Sequence, residues 1–232
     1  MDRRSYLLAL GTAGTAATAG CLTGLFESGP DGVVLSEPDD QHAESEALAY
    51  PAYGEKFPSF ELPDATNGAT IDTGALETVA VVTTFFASCP AECGILLNQL
   101  ADVQAQSADR GFDDGVSFLA ITFDPERDDA DHLENNAAQV GVDLSLGNWH
   151  YLRPENAEEA AEVVEGELGV GFERTDESDR MVGYDFNHFV ITWLVNPGGV
   201  VERVYRGEYV NSDRVADDIE TVLDEYDPDE HR

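Results

Sequence analysis

Two cysteines, Cys89 and Cys93, stand four residues apart where one predicted element gives way to the next. Residues 79–86 are apolar and rich in β-branched side chains, which predicts a central strand buried on both faces. After a short polar turn, Pro90 suits the first position of a helix, and residues 95–107 continue with helical spacing. Residues four apart lie on one face of a helix. The sequence therefore predicts two thiols presented together at a strand-to-helix corner.

The cysteine pair has several possible chemistries. The N-terminus of a helix favours the thiolate, which is the form that attacks disulfides and binds metals. The pair is therefore interpreted as redox-active or as part of a metal site, with buried structural cysteines or a plain disulfide as the alternative. Thioredoxins place two residues between their cysteines, and this chain has three. A peroxidase would need threonine three residues before Cys89, where Phe86 stands.

The elements around this corner follow the order of a thioredoxin-like fold. Residues 57–71 predict a β-hairpin, residues 169–183 predict an exposed loop, and Asp124 or Asp128 is expected to cap a helix. The other predicted elements are a strand at 116–123, a helix at 129–140, a short strand or turn at 144–154, a helix at 155–168, strands at 189–195 and 200–205, and a helix at 211–226. We therefore predict an α/β, thioredoxin-like fold with a central mixed sheet flanked by helices and an N-terminal β-hairpin.

His188 immediately precedes a predicted strand. In a thioredoxin-like sheet the loop that enters this strand lies against the cysteine corner, and disulfide reductases usually place a cis-proline there. Residues 180–189 contain no proline. A histidine opposite two thiols is instead an arrangement of two sulfurs and one nitrogen that suits a metal ion. A structural role for this histidine is the alternative.

The donor set narrows the choice of metal. Thiolates favour Cu(I) and Zn(II), and imidazole suits both copper and zinc. A structural zinc site usually has four protein ligands, and the sequence offers no convincing fourth. Copper tolerates three ligands, and a trigonal site leaves room for a partner's ligands to take the ion. Both metals remain open on the residues alone.

The composition excludes some classes of function. The 232 residues include 47 Asp and Glu against 12 Lys and Arg, which gives a formal net charge of −35. Phosphate binding needs the opposite sign, so nucleic acid is excluded as a partner. Such an acidic surface is typical of a protein that works in concentrated salt, where charge repulsion is screened. A hydrophobic content of 42% argues against a disordered acidic chain.

The N-terminus predicts an export signal. Residues 1–21 begin with Arg3 and Arg4, continue with a mildly apolar run and end in Thr-Ala-Gly-Cys, a pattern that resembles a twin-arginine signal with a lipobox. Lipid on Cys21 would tether the chain to the cell membrane with its domain on the extracytoplasmic side. An uncleaved anchor helix is the alternative, but the apolar run is short for one.

The rest of the chain is predicted to consist of a linker, one domain and a short tail. Residues 22–56 predict an acidic flexible linker, residues 57–226 the thioredoxin-like domain and residues 227–232 a disordered tail. We expect a monomer.

Three segments in order resemble the Sco/SenC family of thioredoxin-like copper-binding factors for cytochrome oxidase assembly. They are residues 84–93 (TFFASCPAEC), residues 123–128 (FDPERD) and residues 188–199, a histidine followed by a strand and an Asn-Pro-Gly-Gly turn. The similarity covers residues 57–226. Together with the leader and the acidity, it is typical of a lipoprotein of haloarchaeal type.

The resemblance implies that Cys89, Cys93 and His188 bind copper. It further implies delivery to the binuclear copper site of a terminal oxidase subunit, alone or with reduction of that subunit's cysteines. Asn187 stands where the family commonly has an aspartate before the histidine, and Asp185 is a candidate substitute. The alternatives are a thiol-disulfide oxidoreductase, in which Cys89 attacks and Cys93 resolves, and a lipid-anchored acidic binding module.

Overall fold

The structure is a computed structural model that describes residues 30–41, 43–89, 92–175 and 184–228. The leader, Pro90 and residues 229–232 of the predicted tail lie outside the described residues. The strands are β1 (Glu61–Pro63), β2 (Thr70–Asp72), β3 (Val79–Phe85), β4 (Val116–Thr122), β5 (Trp149–Leu152), β6 (Phe172–Thr175), β7 (Asp185–His188), β8 (Ile191–Val195) and β9 (Val201–Arg206). The helices are α1 (Glu92–Arg110), α2 (Ala130–Val140), α3 (Ala157–Ala161), which continues as a π-helix over Glu162–Glu167, and α4 (Ser212–Glu225).

Five strands form the central sheet in the order β5-β4-β3-β8-β9. β3 lies in the middle, parallel to β4 and antiparallel to β8. Every residue of β3 and β4 is buried, as expected for parallel strands covered on both faces. β8 and β9 form the predicted antiparallel hairpin, joined by residues 196–200. The predicted thioredoxin-like α/β fold with a mixed sheet is confirmed.

Helix α1 is held from two sides. It contacts both α2 and α4, and its buried face includes Leu96, Leu97 and Leu100. At its C-terminal end, Arg110 forms ion pairs with Asp217 and Glu220 of α4, at 2.7 and 3.2 Å. This packing fixes the direction of α1 and with it the position of its first turn. No helix within the described ranges is both long and apolar enough to cross a membrane.

The predicted N-terminal hairpin is also present. β1 pairs antiparallel with β2, and Asp64, directly after β1, forms a bridge with Leu152 of β5. Two backbone hydrogen bonds reinforce this contact, from the amide of Ala65 to Tyr151 O and from the amide of Arg153 to Pro63 O, both at 2.9 Å. The hairpin thus covers the β5 edge of the sheet.

The segment before the hairpin differs from the expected flexible linker, because residues 30–41 and 43–56 pack against the domain. The buried carboxylate of Glu202 accepts hydrogen bonds from the amides of Val34 and Leu35, at 3.0 and 2.9 Å. The indole of Trp193 donates to Pro51 O at 2.9 Å. A buried carboxylate needs such donors, so it fixes an irregular segment that has no periodic sequence pattern.

Candidate metal centre

The cysteine pair lies at the junction between β3 and α1. Cys89 is half-buried in the connecting turn, and Cys93, in the first turn of α1, is 2% exposed. The amide of Cys93 donates to Cys89 Sγ at 3.3 Å, and no disulfide joins the two thiols. The helix start therefore holds one thiol near the surface and the other against the core.

His188 is the last residue of β7, which pairs with β6 in a two-stranded ribbon. The prediction of an exposed loop is wrong over residues 172–175, which form β6, while residues 176–183 lie outside the described part of the chain. Both strands are only four residues long and contain polar residues, so their sequence resembles that of a loop. Cross-strand pairing of Phe172 with His188 places the imidazole at the end of this ribbon.

Aromatic rings surround the imidazole. The ring centroid of His188 lies 5.0 Å from that of Phe123 and 5.9 Å from that of Phe86. Phe186, on the same strand, packs edge-on against both of these phenylalanines at 5.2 Å. Because Phe86 directly follows β3 and Phe123 directly follows β4, these rings join the ribbon to the central sheet.

The two thiols and the imidazole converge on one point. Cys93 Sγ lies 3.6 Å from His188 Nε2, and all three donor atoms lie within 4.8 Å of one another. Metal–sulfur and metal–nitrogen bonds of about 2.3 and 2.1 Å at a tetrahedral angle place sulfur and nitrogen about 3.6 Å apart. Cys93 and His188 are therefore spaced as two ligands of a single ion, and Cys89 lies close enough to both to be the third. Among the described residues, no other group of three Cys, His, Asp or Glu side chains meets this condition.

The orientation of the imidazole suits metal binding. His188 Nδ1 lies 3.1 Å from the carbonyl oxygen of Phe189, a position in which Nδ1–H donates and Nε2 is left with its lone pair. Asp185 was a candidate for this orienting role, but its carboxylate accepts a hydrogen bond from the amide of Phe186 at 2.9 Å. A backbone carbonyl thus orients the ring.

The electrostatics of the pair favour a cation. A hydrogen bond with Cys89 and burial raise the pKa of Cys93 well above its ordinary value. Two adjacent thiolates repel each other, and a bound cation removes that repulsion as both thiols lose their protons. The buried Cys93 thiol therefore holds its proton more tightly than an ordinary cysteine, and metal binding there releases that proton.

The acidic corner after β4 (residues 123–128) holds the turn that leads to Cys89 (residues 86–89, the cysteine turn) in place. Asp128 is fully buried, and its Oδ2 accepts hydrogen bonds from the amide of Ala87 at 2.9 Å and from the hydroxyl of Thr122 at 2.5 Å. Burial raises the pKa of this carboxyl group. The expectation that Asp124 or Asp128 caps the next helix is wrong, because Asp129 caps α2 by accepting from the amide of His132. Asp128 instead joins the cysteine turn to the end of β4.

The same corner holds the strand that carries His188. Asp124 is paired with Arg127 and accepts a hydrogen bond from the hydroxyl of Tyr184 at 2.9 Å. Arg127 donates to Tyr184 O at 3.1 Å, and its guanidinium lies 3.7 Å from the centre of the Tyr184 ring. Burial and the neighbouring Asp124 raise the pKa of the Tyr184 hydroxyl to about 12. Since Tyr184 directly precedes β7, this corner positions both halves of the site.

An open groove borders the imidazole. Its volume is about 500 Å³, and its lining consists of Glu165, Gly171, Phe172, Glu173, Asn187, His188 and Phe189. Phe189 is 71% exposed at this groove. The site is thus accessible from the His188 side.

The family to which the chain belongs is shown by a match over most of its sequence. Residues 52–224 match the sequence model of the SCO1/SenC family. The chain belongs to this family. A search of curated proteins finds no match by sequence.

Solved Sco structures share the fold at low sequence identity. Yeast Sco1 with copper bound gives a TM-score of 0.62 at 20% identity, over 78% of this chain and 94% of the yeast chain. A SCO1/SenC family lipoprotein from Bacillus anthracis gives 0.60 at 17% identity, over 76% and 96% of the two chains. BsSco, a member of the Sco family of cytochrome c oxidase assembly proteins with a disulfide switch, gives 0.59 at 20% identity, over 76% and 96%.

The role of Asp128 in this Sco-family chain is testable with Co(II), whose thiolate complexes absorb visible light. We predict that Asp128→Ala weakens Co(II) binding by about 10- to 100-fold, because the amide of Ala87 loses its acceptor and the cysteine turn loosens. The free energy of unfolding should fall by about 2 kcal/mol. Absorption titration and denaturant unfolding measure the two effects.

Asp131→Ala is the matched control, since it removes an exposed carboxylate from the same helix region. Equal Co(II) affinity of the Asp128 and Asp131 variants would contradict the positioning role of Asp128.

Proposed function

We propose that this chain binds copper through Cys89, Cys93 and His188 and passes it to the copper-bearing subunit of a terminal oxidase. The observation that carries the proposal is the convergence of two sulfurs and one imidazole nitrogen within 4.8 Å of one another. Membership of the SCO1/SenC family and the copper bound to yeast Sco1 support it. Copper is the cargo of this activity.

The donor set supports copper over structural zinc. Two thiolates and one imidazole form a soft set that suits Cu(I), whereas closed structural zinc sites use four protein ligands. The group in the described part of the chain supplies three. A three-ligand site remains open to a fourth ligand from outside, which is what transfer requires.

The unequal burial of the ligands supports an order of transfer. Cys93 is 2% exposed and packs on the core, whereas Cys89 lies in the turn at the half-exposed side of the site. A ligand of the acceptor protein would replace Cys89 first, while Cys93 and His188 still hold the ion.

A thiol-disulfide oxidoreductase is the second candidate, and the unbridged thiol pair favours it. In this reaction the Cys89 thiolate attacks a disulfide of the partner and releases one partner thiolate. Cys93 then attacks the mixed disulfide, which leaves a Cys89–Cys93 disulfide and a partner dithiol. The raised pKa of Cys93 fits the resolving role, and the disulfide switch of BsSco is a precedent within the family.

Copper titration separates the two functions. We predict that the reduced chain binds one Cu(I) and that His188→Ala, Cys89→Ser and Cys93→Ser each weaken binding by at least about 100-fold, because each removes a ligand. Competition with a chromophoric Cu(I) chelator gives the affinities, and insulin reduction measures disulfide reductase activity in parallel.

Asn187→Ala serves as the control, because Asn187 is the exposed neighbour of His188 on β7. Unchanged Cu(I) affinity in His188→Ala, together with rapid insulin reduction by the native chain, would contradict the copper site and favour the oxidoreductase.

We also propose that the chain is a lipoprotein of haloarchaeal type, held at the outer side of the cell membrane by lipid on Cys21. The twin arginines, the Thr-Ala-Gly-Cys sequence and the net charge of −35 support this proposal. Anchored in this way, the chain would lie on the side of the membrane where it can reach the extracytoplasmic domains of membrane proteins.

Cell fractionation tests the anchor. Cys21→Ser should move the exported chain from the membrane fraction to the soluble fraction, because the residue that carries lipid is lost. Replacement of Arg3 and Arg4 by lysine should block export. Retention of the Cys21→Ser chain in the membrane fraction would instead indicate an uncleaved anchor helix.

A further inference from the structure

The groove beside His188 carries negative charge that metal binding does not use. The charged side chains among its described lining residues are the exposed carboxylates of Glu165 and Glu173. The guanidinium of the neighbouring Arg174 lies 3.5 Å from the centre of the Tyr184 ring, outside this lining. The described lining of the groove is therefore acidic.

The β6–β7 ribbon separates the groove from the core by the alternation of its side chains. Phe172 pairs with His188, and both rings pack against Phe123. Successive side chains of a strand point to opposite faces. The residues that follow this pair, Glu173 on one strand and Phe189 at the end of the other, are accordingly exposed. One face of the ribbon thus serves the metal site, and the other presents a carboxylate and an aromatic ring to solvent.

Phe189 links the groove to the metal site. Its carbonyl oxygen lies 3.1 Å from His188 Nδ1, while its ring is 71% exposed at the groove. Single exposed apolar residues are common on protein surfaces. This ring differs from them because it lines a concave surface and directly follows a proposed copper ligand. Aromatic side chains in pockets of an interface are among the residues that dominate binding between proteins.

The position of the groove suits a partner that takes copper. The donor atoms of Cys89, Cys93 and His188 lie within 4.8 Å of one another. A protein seated beside His188 is therefore also close to Cys89, the half-exposed ligand that the acceptor replaces first in the proposed transfer.

We propose that this groove is the docking site for the acceptor protein, and that it binds a surface segment in which an apolar side chain stands next to a lysine or arginine. The apolar side chain packs on the Phe189 ring, and the cation pairs with Glu165 and Glu173. Charge complementarity selects such a segment, because an acidic one would be repelled. The inference rests on the proposed copper function and adds the surface that recognises the acceptor.

The rate of copper transfer tests the docking site. The Cu(I)-loaded chain is mixed with the metal-free copper-binding domain of the oxidase subunit, at concentrations where the rate is proportional to that of the domain. A small chromophoric Cu(I) chelator, which needs no docking surface, is the parallel acceptor. We expect Phe189→Ala to lower the rate constant for transfer to the domain by about tenfold more than that for transfer to the chelator.

The charged part of the groove is tested by salt. Glu165→Gln combined with Glu173→Gln should lower the rate of transfer to the domain by about tenfold at low salt and flatten its salt dependence, because salt screens the attraction that these carboxylates supply. Glu46→Gln combined with Glu134→Gln is the matched control, since it removes two exposed carboxylates that do not line the described groove. Tyr209→Ala is the control for Phe189, because its ring is 70% exposed and lies outside this lining.

The outcomes are distinct. Native transfer rates in Phe189→Ala would overturn the docking site, and so would equal losses with the domain and the chelator, which would place the effect in the metal site. A loss of the same size in Tyr209→Ala would also overturn it. If the native chain bound no Cu(I), or passed none to the domain, the proposed function itself would fail, which the native chain shows before any variant is compared.

Discussion

The site depends on one buried carboxylate, Asp128. The parallel pairing of β3 and β4 places Phe85 opposite Thr122, so the cysteine turn and the acidic corner leave the sheet side by side. Asp128 joins them through the amide of Ala87 and the hydroxyl of Thr122. A carboxylate with no solvent exposure is stable only where such donors meet it, so the cysteine turn has little freedom to move away. This rigidity gives the two sulfurs a fixed spacing without a disulfide.

The same corner explains how residues 95 positions apart reach one ion. Arg127 and Asp124 bind Tyr184 through hydrogen bonds. The ring of Phe186 packs on Phe123 and so holds β7 against the sheet. His188 is therefore brought to the thiols by contacts that lie outside the metal site. The site therefore has a rigid part, Cys93 against the core, and two accessible ligands, Cys89 in its turn and His188 beside the open groove. A protein that binds an ion and later releases it to a partner needs both properties.

The sequence predicts those elements whose structure is determined by neighbouring residues along the chain. The apolar run of β3, the cysteine spacing and the short turn between β8 and β9 each specify their structure within a few residues. The β6–β7 ribbon is hard to predict because two four-residue strands have too little pattern, and their stability comes from contacts with Phe123 and its neighbours. Asp128 is drawn away from the helix cap by its long-range hydrogen bond with the amide of Ala87, and residues 30–41 and 43–56 likewise dock through long-range hydrogen bonds such as those to Glu202. The alternating aromatic and polar residues before His188 were the one local signal of the ribbon.

X-ray absorption at the copper K-edge of the Cu(I)-loaded chain is the most direct test of the site. The account predicts a shell of two sulfurs at about 2.2–2.3 Å and one nitrogen at about 2.0 Å, with the nitrogen contribution lost in His188→Ala. A first shell without sulfur, or a spectrum that is the same in His188→Ala, would contradict the assignment of Cys89, Cys93 and His188 as the copper ligands.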